Sequence, residues 1–283
     1  MESVREMYER AADSYAANRA AHLVPAASVL LTRLPLARAR VVVDAGTGTG
    51  ALIPRLRAAA PMATVIGLDL AAAMLGHAAK AKAVDSTTDG RTDGAEVGRV
   101  LFAQADLAHP PLAPECADVL VSAFVLFHLA DPPAAVRALA GALRPGGMFA
   151  AATWARDPFW AAKAVLVAEL DAAGAPLVTS TRFGAAFTES RQALADLVES
   201  AGLRVLDTEV APLGGPIVDP ADLVGGWTAF GSAAARFAAL DRATQLRVRA
   251  NAIARIGALP AEDRRDPHEV IRIWAVKPDR PNG

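Results

Sequence analysis

Val41-Val42-Val43-Asp44-Ala45-Gly46-Thr47-Gly48-Thr49-Gly50 is the stretch on which the reading of the fold turns. Three β-branched residues in a row predict a strand buried on both faces, since neither side of the pleat carries a group that needs water. Glycine at every second position from Gly46 to Gly50 then leaves bare backbone, where the chain turns sharply and another molecule can come close. Ala51 to Ala60 has helical composition, so strand, glycine turn and helix N-terminus follow in succession. Free N–H groups of such a turn face a ligand. Dinucleotide enzymes use similar loops. The distinguishing residue is Asp44, at the strand's end and two positions before the first glycine.

The whole chain narrows the classes. Its 283 residues suffice for one large core, or one domain with a sizeable insertion. Its 29 Lys and Arg against 30 Asp and Glu are scattered and give a net charge of -1, no footprint for nucleic acid or an anionic membrane. The single cysteine, Cys116, excludes an internal disulfide framework and reads as a passive thiol. His22, His77, His109, His128 and His268 show no pair at metal-ligand spacing, so no metal is expected. Met1-Glu2-Ser3 opens no signal pattern, and the longest apolar stretch, Val119 to Ala130, is too short to span a bilayer. The expectation is a soluble, cytoplasmic protein with neither nucleic acid nor membrane as partner.

Taken in order, residues 1–34 predict two helices. Met7, Tyr8, Ala11, Ala12 and Tyr15 share a face, either as core aromatics or as a surface closing over a cofactor. Ala63 to Asp69 reads as a second strand ending in an acid. Asp69 lies 25 residues beyond Asp44, near the roughly 20-residue offset at which a strand-end carboxylate meets a ribose. A carboxylate accepts from both ribose hydroxyls; equally, Asp69 can cap the next helix, Ala71 to Ala83. Leu70 and Met74 suit an adenine wall or the core. Residues 84–99 are polar and aperiodic, a surface loop.

Strands follow at Val100–Ala103, Asp118–Ala123 and Met148–Trp154, with a helix over 133–143. Arg144-Pro145-Gly146-Gly147 reads as a helix end and tight turn. Asp157–Gly174 and Thr188–Ala201 read as helices, Gly202–Leu206 begins a sixth strand, and Val270–Val276 alternates as an antiparallel last strand. Residues 261–268 and the tail after Lys277 are polar, proline-bearing and expected to be peripheral.

D-x-G-x-G-x-G at Asp44–Gly50, then Asp69, Asp106 after the third strand, the Phe127-His128 segment after the fourth and the R-P-G-G turn stand in an order and spacing that resemble the class I S-adenosylmethionine-dependent methyltransferases. The likeness is to the small-molecule branch related to ubiquinone-biosynthesis enzymes (methyltransferase type 11), strong over about residues 41–155 and in outline beyond. It implies an α/β, Rossmann-like fold: a seven-stranded, mostly parallel sheet with an antiparallel last strand and helices on both faces. A helical cap over residues 1–34 would precede a methyltransferase domain over 35–283, with a helical lid insertion at about 219–260.

The resemblance also implies S-adenosylmethionine as cofactor. Gly46, Thr47 and Gly48 would approach its amino-acid portion, and Asp44 would organise the loop or receive the ammonium. Asp69 would take the ribose, Asp106 the adenine amino group (or cap a turn), and Leu70, Met74, Leu107 and Ala123 would complete the site. His128 is the candidate polar group beside the methyl acceptor, or a packed histidine, and Tyr15 from the leading helix joins it as a catalytic candidate. Phe127, Trp154 and Trp227 are substrate candidates, or ordinary core; Phe159, Trp160, Phe183, Phe187 and Phe230 fall in the same segments.

The implied reaction is direct SN2 methyl transfer to a small, apolar or aromatic metabolite, of the kind met in secondary metabolism. The protein would supply alignment and a water-poor site. Two alternatives stay open: an enzyme of the same fold and cofactor running a cyclisation or similar reaction, and a nicotinamide-dependent oxidoreductase. Position 51 is alanine, so the usual G-x-G-x-x-G of the latter is not met. A non-catalytic binding module is opposed by the full acid set and the aromatic-rich lid. No N/D-P-P-Y-like segment follows the fourth strand, which disfavours DNA or protein acceptors. The small-molecule acceptor is the expected partner, and a homodimer is compatible with the sequence without being indicated by it.

Overall fold

In the computed structural model, which describes residues 3–18, 20–86, 98–156, 158–178, 183–214, 217–229 and 231–279, one sheet is laid in two directions from β1 (Val41–Ala45). To one side lie β2 (Thr64–Asp69) and then β3 (Val100–Gln104); to the other lie β4 (Ala117–Ala123) and β5 (Leu143–Trp154). Beyond β5 comes β7 (Glu269–Val276), antiparallel to both of its neighbours, and β6 (Arg204–Pro212) closes that edge. All other pairings are parallel. This matches the expected seven-stranded, mostly parallel sheet with its antiparallel last strand.

The valine run behaves as its composition requires. Val42, with Val65, Val119, Val121, Ala150 and Trp154, packs under α2 (Ala20–Ser28) and α3 (Ile53–Ala59). Val43 and Ala45, with Leu68, Leu120 and Phe149, pack under α5 (Pro132–Ala142) and α7 (Arg191–Ser200). Each fully buried Leu or Phe in these layers contributes about 1.5–3 kcal/mol. Asp118 staples the start of β1: its Oδ2 accepts from the amides of Arg40 (2.7 Å) and Val41 (2.8 Å), and Arg144 pairs with its other oxygen. Burial pushes this carboxyl up, but those bonds outweigh burial and hold it below its ordinary value.

The expected cap divides in two. α1 (Val4–Asn18) lies on α4 (Ala72–Ser86), with Ala12 buried against Ala71 and Met74. α2 instead shares the sheet's core through Leu23, Ala26 and Ala27. Trp274 Nε1 donates to Leu30 O (2.9 Å) and Arg272 Nε to Ala26 O (3.1 Å), which ties this region to β7.

The insertion holds α8 (Pro220–Ala229), α9 (Ser232–Ala238) and α10 (Arg242–Gly257), within the expected 219–260. It has its own core and recruits α6 (Ala161–Ala172) into it: Trp160, Leu166 and Leu170 pack with Leu223, Val224, Val248 and Ile256. A helix-by-helix reading of the sequence left α6 unattached, because its partners lie about fifty residues or more further on.

Other boundaries need correction. The R-P-G-G residues lie inside β5, not before it: Leu143 already pairs with Ala117, and the register shifts before Val119 pairs with Met148. Gly146, with φ +71°, absorbs that irregularity. α4 runs on to Ser86, past the expected end, while residues 87–97 of the expected loop lie outside the described residues. Residues 261–268 are integrated rather than peripheral, since Trp160 Nε1 donates to Asp263 O (3.0 Å) and His268 packs between Trp154 and Trp160.

Candidate cofactor site

Sheet order reverses between β1 and β4, and in open α/β sheets the carboxyl edge at such a point is where ligands bind. There the backbone of the glycine loop is fixed first. The amides of Gly46 and Thr47 both donate to Leu68 O at 2.8 Å, so the loop hangs from the end of β2. Ser122 Oγ donates to Ala45 O (3.0 Å) and holds the ends of β4 and β1 together.

Two glycines explain why no other residue serves. At Gly46 (φ +82°) an added Cβ would lie 2.1 Å from Val125 Cγ2; at Gly48 (φ +56°) it would meet nothing within 4 Å. The first glycine lets a neighbouring chain approach, and the second keeps its space open on the cleft side.

A cleft opens to solvent at this edge. Tyr15, Asp44, Gly46, Thr47, Gly48 and Ala123 all line it, so six of the sequence candidates come together from α1, β1, the loop and β4. Phe124 also lines it and was not anticipated. Its backbone is left-handed (φ +61°), a strained conformation for a phenylalanine that no composition signal announces.

Asp44 is 2% exposed, and its Oδ2 accepts from Thr47 Oγ1 at 2.7 Å. Burial pushes its carboxyl up to about 6; the Thr47 bond counters this, and the nearby Asp69 charge adds to it. Asp69 Oδ2 accepts from the Gly48 amide (2.8 Å) and Oδ1 from the Ala71 amide (2.9 Å), so this carboxylate clamps the loop to the start of α4. Burial raises its pKa against those bonds. An ionised carboxylate has about four acceptor positions, so the bonds from backbone amides do not exhaust it.

Several candidates stand elsewhere. Asp106 is exposed after β3 and caps its own turn, with Oδ1 accepting from the Ala108 amide (2.9 Å). Leu70 is 40% exposed beside Asp69, Met74 is buried under α1, and Leu107 lies in the core beneath α5. Phe127 is buried in the sheet core. His128, in a short 3-10 turn after β4, has its Nε2 hydrogen-bonded to the Tyr8 hydroxyl of α1 at 2.8 Å. Trp154 is buried and stacks on Phe124, ring centroids 4.7 Å apart; Trp227 of α8 meets Trp160 edge-on at 4.9 Å. Phe230 lies outside the described residues.

Comparison with known proteins adds to this geometry. Residues 43–151 match a family model described as a methyltransferase domain. The chain is 35% identical over 185 residues to a ubiquinone biosynthesis O-methyltransferase from Methylobacterium nodulans, covering 64% of this chain and 68% of that one. The chain belongs to the class I S-adenosylmethionine-dependent methyltransferases.

Its cofactor is S-adenosylmethionine. The chain spans 44% and 42% of the length of two other curated methyltransferases that it matches. In fold it is similar to a Haloferax volcanii protein solved with the Trm112 methyltransferase activator (TM-score 0.58, 20% identity, 99% of this chain and 100% of that one). It is also similar to a Haemonchus contortus N-methyltransferase solved with S-adenosylhomocysteine (TM-score 0.58, 18% identity, 99% of this chain and 61% of that one). Among the described residues no helix is long and apolar enough to cross a membrane.

Proposed function

We propose that this methyltransferase transfers a methyl group by direct SN2 displacement to a small, apolar or aromatic metabolite, as in the small-molecule branches of metabolism. The observation that carries this reading is a run of rings leading from the cofactor cleft to the helical insertion. Phe124 lines the cleft, Trp154 stacks on it, His268 meets both Trp154 (5.4 Å) and Trp160 (5.7 Å), and Trp160 meets Trp227. Of these rings Phe124 lines the cleft, with Trp154 packed behind it, and an aromatic lining favours an apolar or aromatic guest. The likeness to an enzyme named for O-methylation in ubiquinone biosynthesis supports the same class.

S-adenosylmethionine, when bound, supplies an already activated sulfonium methyl group. This chain's residues then have four tasks. Asp44 receives the ammonium, and the loop at Gly46, Thr47 and Gly48 lets backbone lie against the amino-acid portion. Asp69 would take the ribose with its remaining acceptor capacity, Asp106 and Leu70 the adenine side and Ala123 the floor, while Met74 and Leu107 support that side from the core. Tyr15 and the α1 face exclude water above the reacting atoms. His128, oriented by Tyr8, accepts the acceptor's proton where one must leave. Trp154, behind Phe124, and Trp227 would shape the acceptor pocket, while Phe127 stays in the sheet core.

The test is incubation with S-adenosylmethionine and a panel of phenols, quinols and apolar amines. S-adenosylhomocysteine and a methylated product should accumulate in equal amounts. With the acceptor so found, His128→Ala is expected to lower kcat by about 10²–10⁴ with S-adenosylhomocysteine affinity unchanged; turnover near wild type would remove His128 from the chemistry. Trp154→Ala should raise the acceptor's KM alone.

A further inference from the structure

The first turn of α4 exposes amides that need acceptors, and three in succession end on two carboxylates from distant parts of the chain. The Ala71 amide goes to Asp69. The Ala72 amide goes to Glu9 Oε1 at 2.7 Å, and the Ala73 amide to Glu9 Oε2 at 2.8 Å. Glu9 belongs to α1, the helix whose Tyr15 lines the cleft. One helix N-terminus therefore fastens both the carboxylate assigned to the ribose and the helix that roofs the site.

Two like charges meet here, and each is held by the positive end of α4. α1 is also held by Ala12 packed on Ala71 and Met74 and by the Tyr8–His128 bond. Asp13 reaches His77 Nε2 of α4 at 2.9 Å from a side chain that is 99% exposed. Exposed pairs of this kind hold little. Glu9 is half-buried and bidentate, with both oxygens satisfied by backbone.

We propose that Glu9 is a positioning residue, a clasp that keeps α1 closed on the N-terminus of α4 and so sets how long the cofactor stays bound. Its action is through α1 rather than by contact with the ligand. Opening breaks both Glu9 bonds as Tyr15 leaves the cleft, and because the clasp does not touch the ligand, weakening it quickens departure and entry alike.

The probe is S-adenosylhomocysteine, with dissociation followed by displacement with excess unlabelled ligand and association by stopped flow. Glu9→Gln removes one acceptor and sets an amide N–H₂ against a backbone N–H; dissociation is expected to quicken on the order of tenfold, the equivalent of one such bond. The association rate should rise with it, because entry uses the same opening, and Kd should change less than either rate. Ala72→Pro deletes the partner amide from the other side at the first helical position, where proline is tolerated, and should have a similar effect with Glu9 intact. The double variant should dissociate no faster than the faster single, because both act on one contact. Dissociation within twofold of wild type in both singles, or effects that multiply in the double, would overturn the proposal. Thermal melts check that each variant is folded, and if Glu9→Gln is not, Ala72→Pro alone decides between a quickened and an unchanged dissociation.

Discussion

Asp44 sets a pH window for cofactor binding. Its carboxyl is pushed from the ordinary 3.8 up to about 6, because burial disfavours the anion more than the Thr47 hydroxyl restores it. An ammonium placed beside it favours the anion again, so its pKa in the complex falls back toward the ordinary value. Below about pH 6 binding must first expel a proton, and affinity declines as pH falls. With about 6 in the free protein and a value near 3.8 in the complex, Kd at pH 5 should exceed that at pH 8 about tenfold, or ~1.4 kcal/mol. Roughly 0.8–0.9 proton should leave on binding at pH 5, and almost none at pH 8.

Calorimetric titration with S-adenosylhomocysteine at pH 5 to 8, in two buffers of different ionisation enthalpy, measures both quantities. Asp69 is also raised by burial, so Asp44→Asn is the control: its affinity should be weaker at pH 8 and lack this part of the slope. The free protein responds with the opposite sign. A raised folded pKa contributes stability that is present below the unfolded value and lost as pH rises through about 6. Asp44→Asn should therefore stabilise the unliganded protein at pH 8, by roughly 1–3 kcal/mol. A Kd constant within twofold from pH 5 to 8 with no proton release, or an unchanged slope in Asp44→Asn, would refute the assignment.

Gly46→Ala should cost about 2–5 kcal/mol in urea unfolding, from a left-handed φ and a Cβ driven into Val125; adding Val125→Ala should recover the steric part and leave the backbone part. Asp118→Asn should lower stability at pH 7 by about 1–2 kcal/mol. Asp118 has a lowered folded pKa, so its contribution is present above the ordinary carboxylate value and lost as pH falls through the folded one; acid unfolding of the variant should show a correspondingly smaller pH dependence there.

Local chemistry carried far into the candidate site. The glycines at 46 and 48, the acid at 44 and the strand-end acid at 69 each announce themselves, because a positive φ and a buried carboxylate admit few residue types. The structure shows Asp69 capping the start of α4, with the Gly48 and Ala71 amides on its carboxylate, and the ribose contact stands as a proposal beside that. Tyr8 and Tyr15 were visible as a helical stripe, but the Tyr8–His128 bond joins residues 120 positions apart. No local pattern encodes it. Phe124, Glu9 and His268 looked ordinary as a strand-end aromatic, a surface acid and a loop histidine.

The sequence by itself determined the alternation of strands and helices and the glycine turn with its acids, because these follow from side-chain periodicity, glycine's backbone freedom and burial. Only the tertiary structure decided that α2 joins the sheet while α1 is held by the N-terminus of α4, that α6 belongs to the insertion, and that His268 completes a run of rings from the cleft. Those outcomes depend on which distant surfaces meet, and hydrogen-bond and packing partners separated by tens to hundreds of residues leave no period in the chain to read.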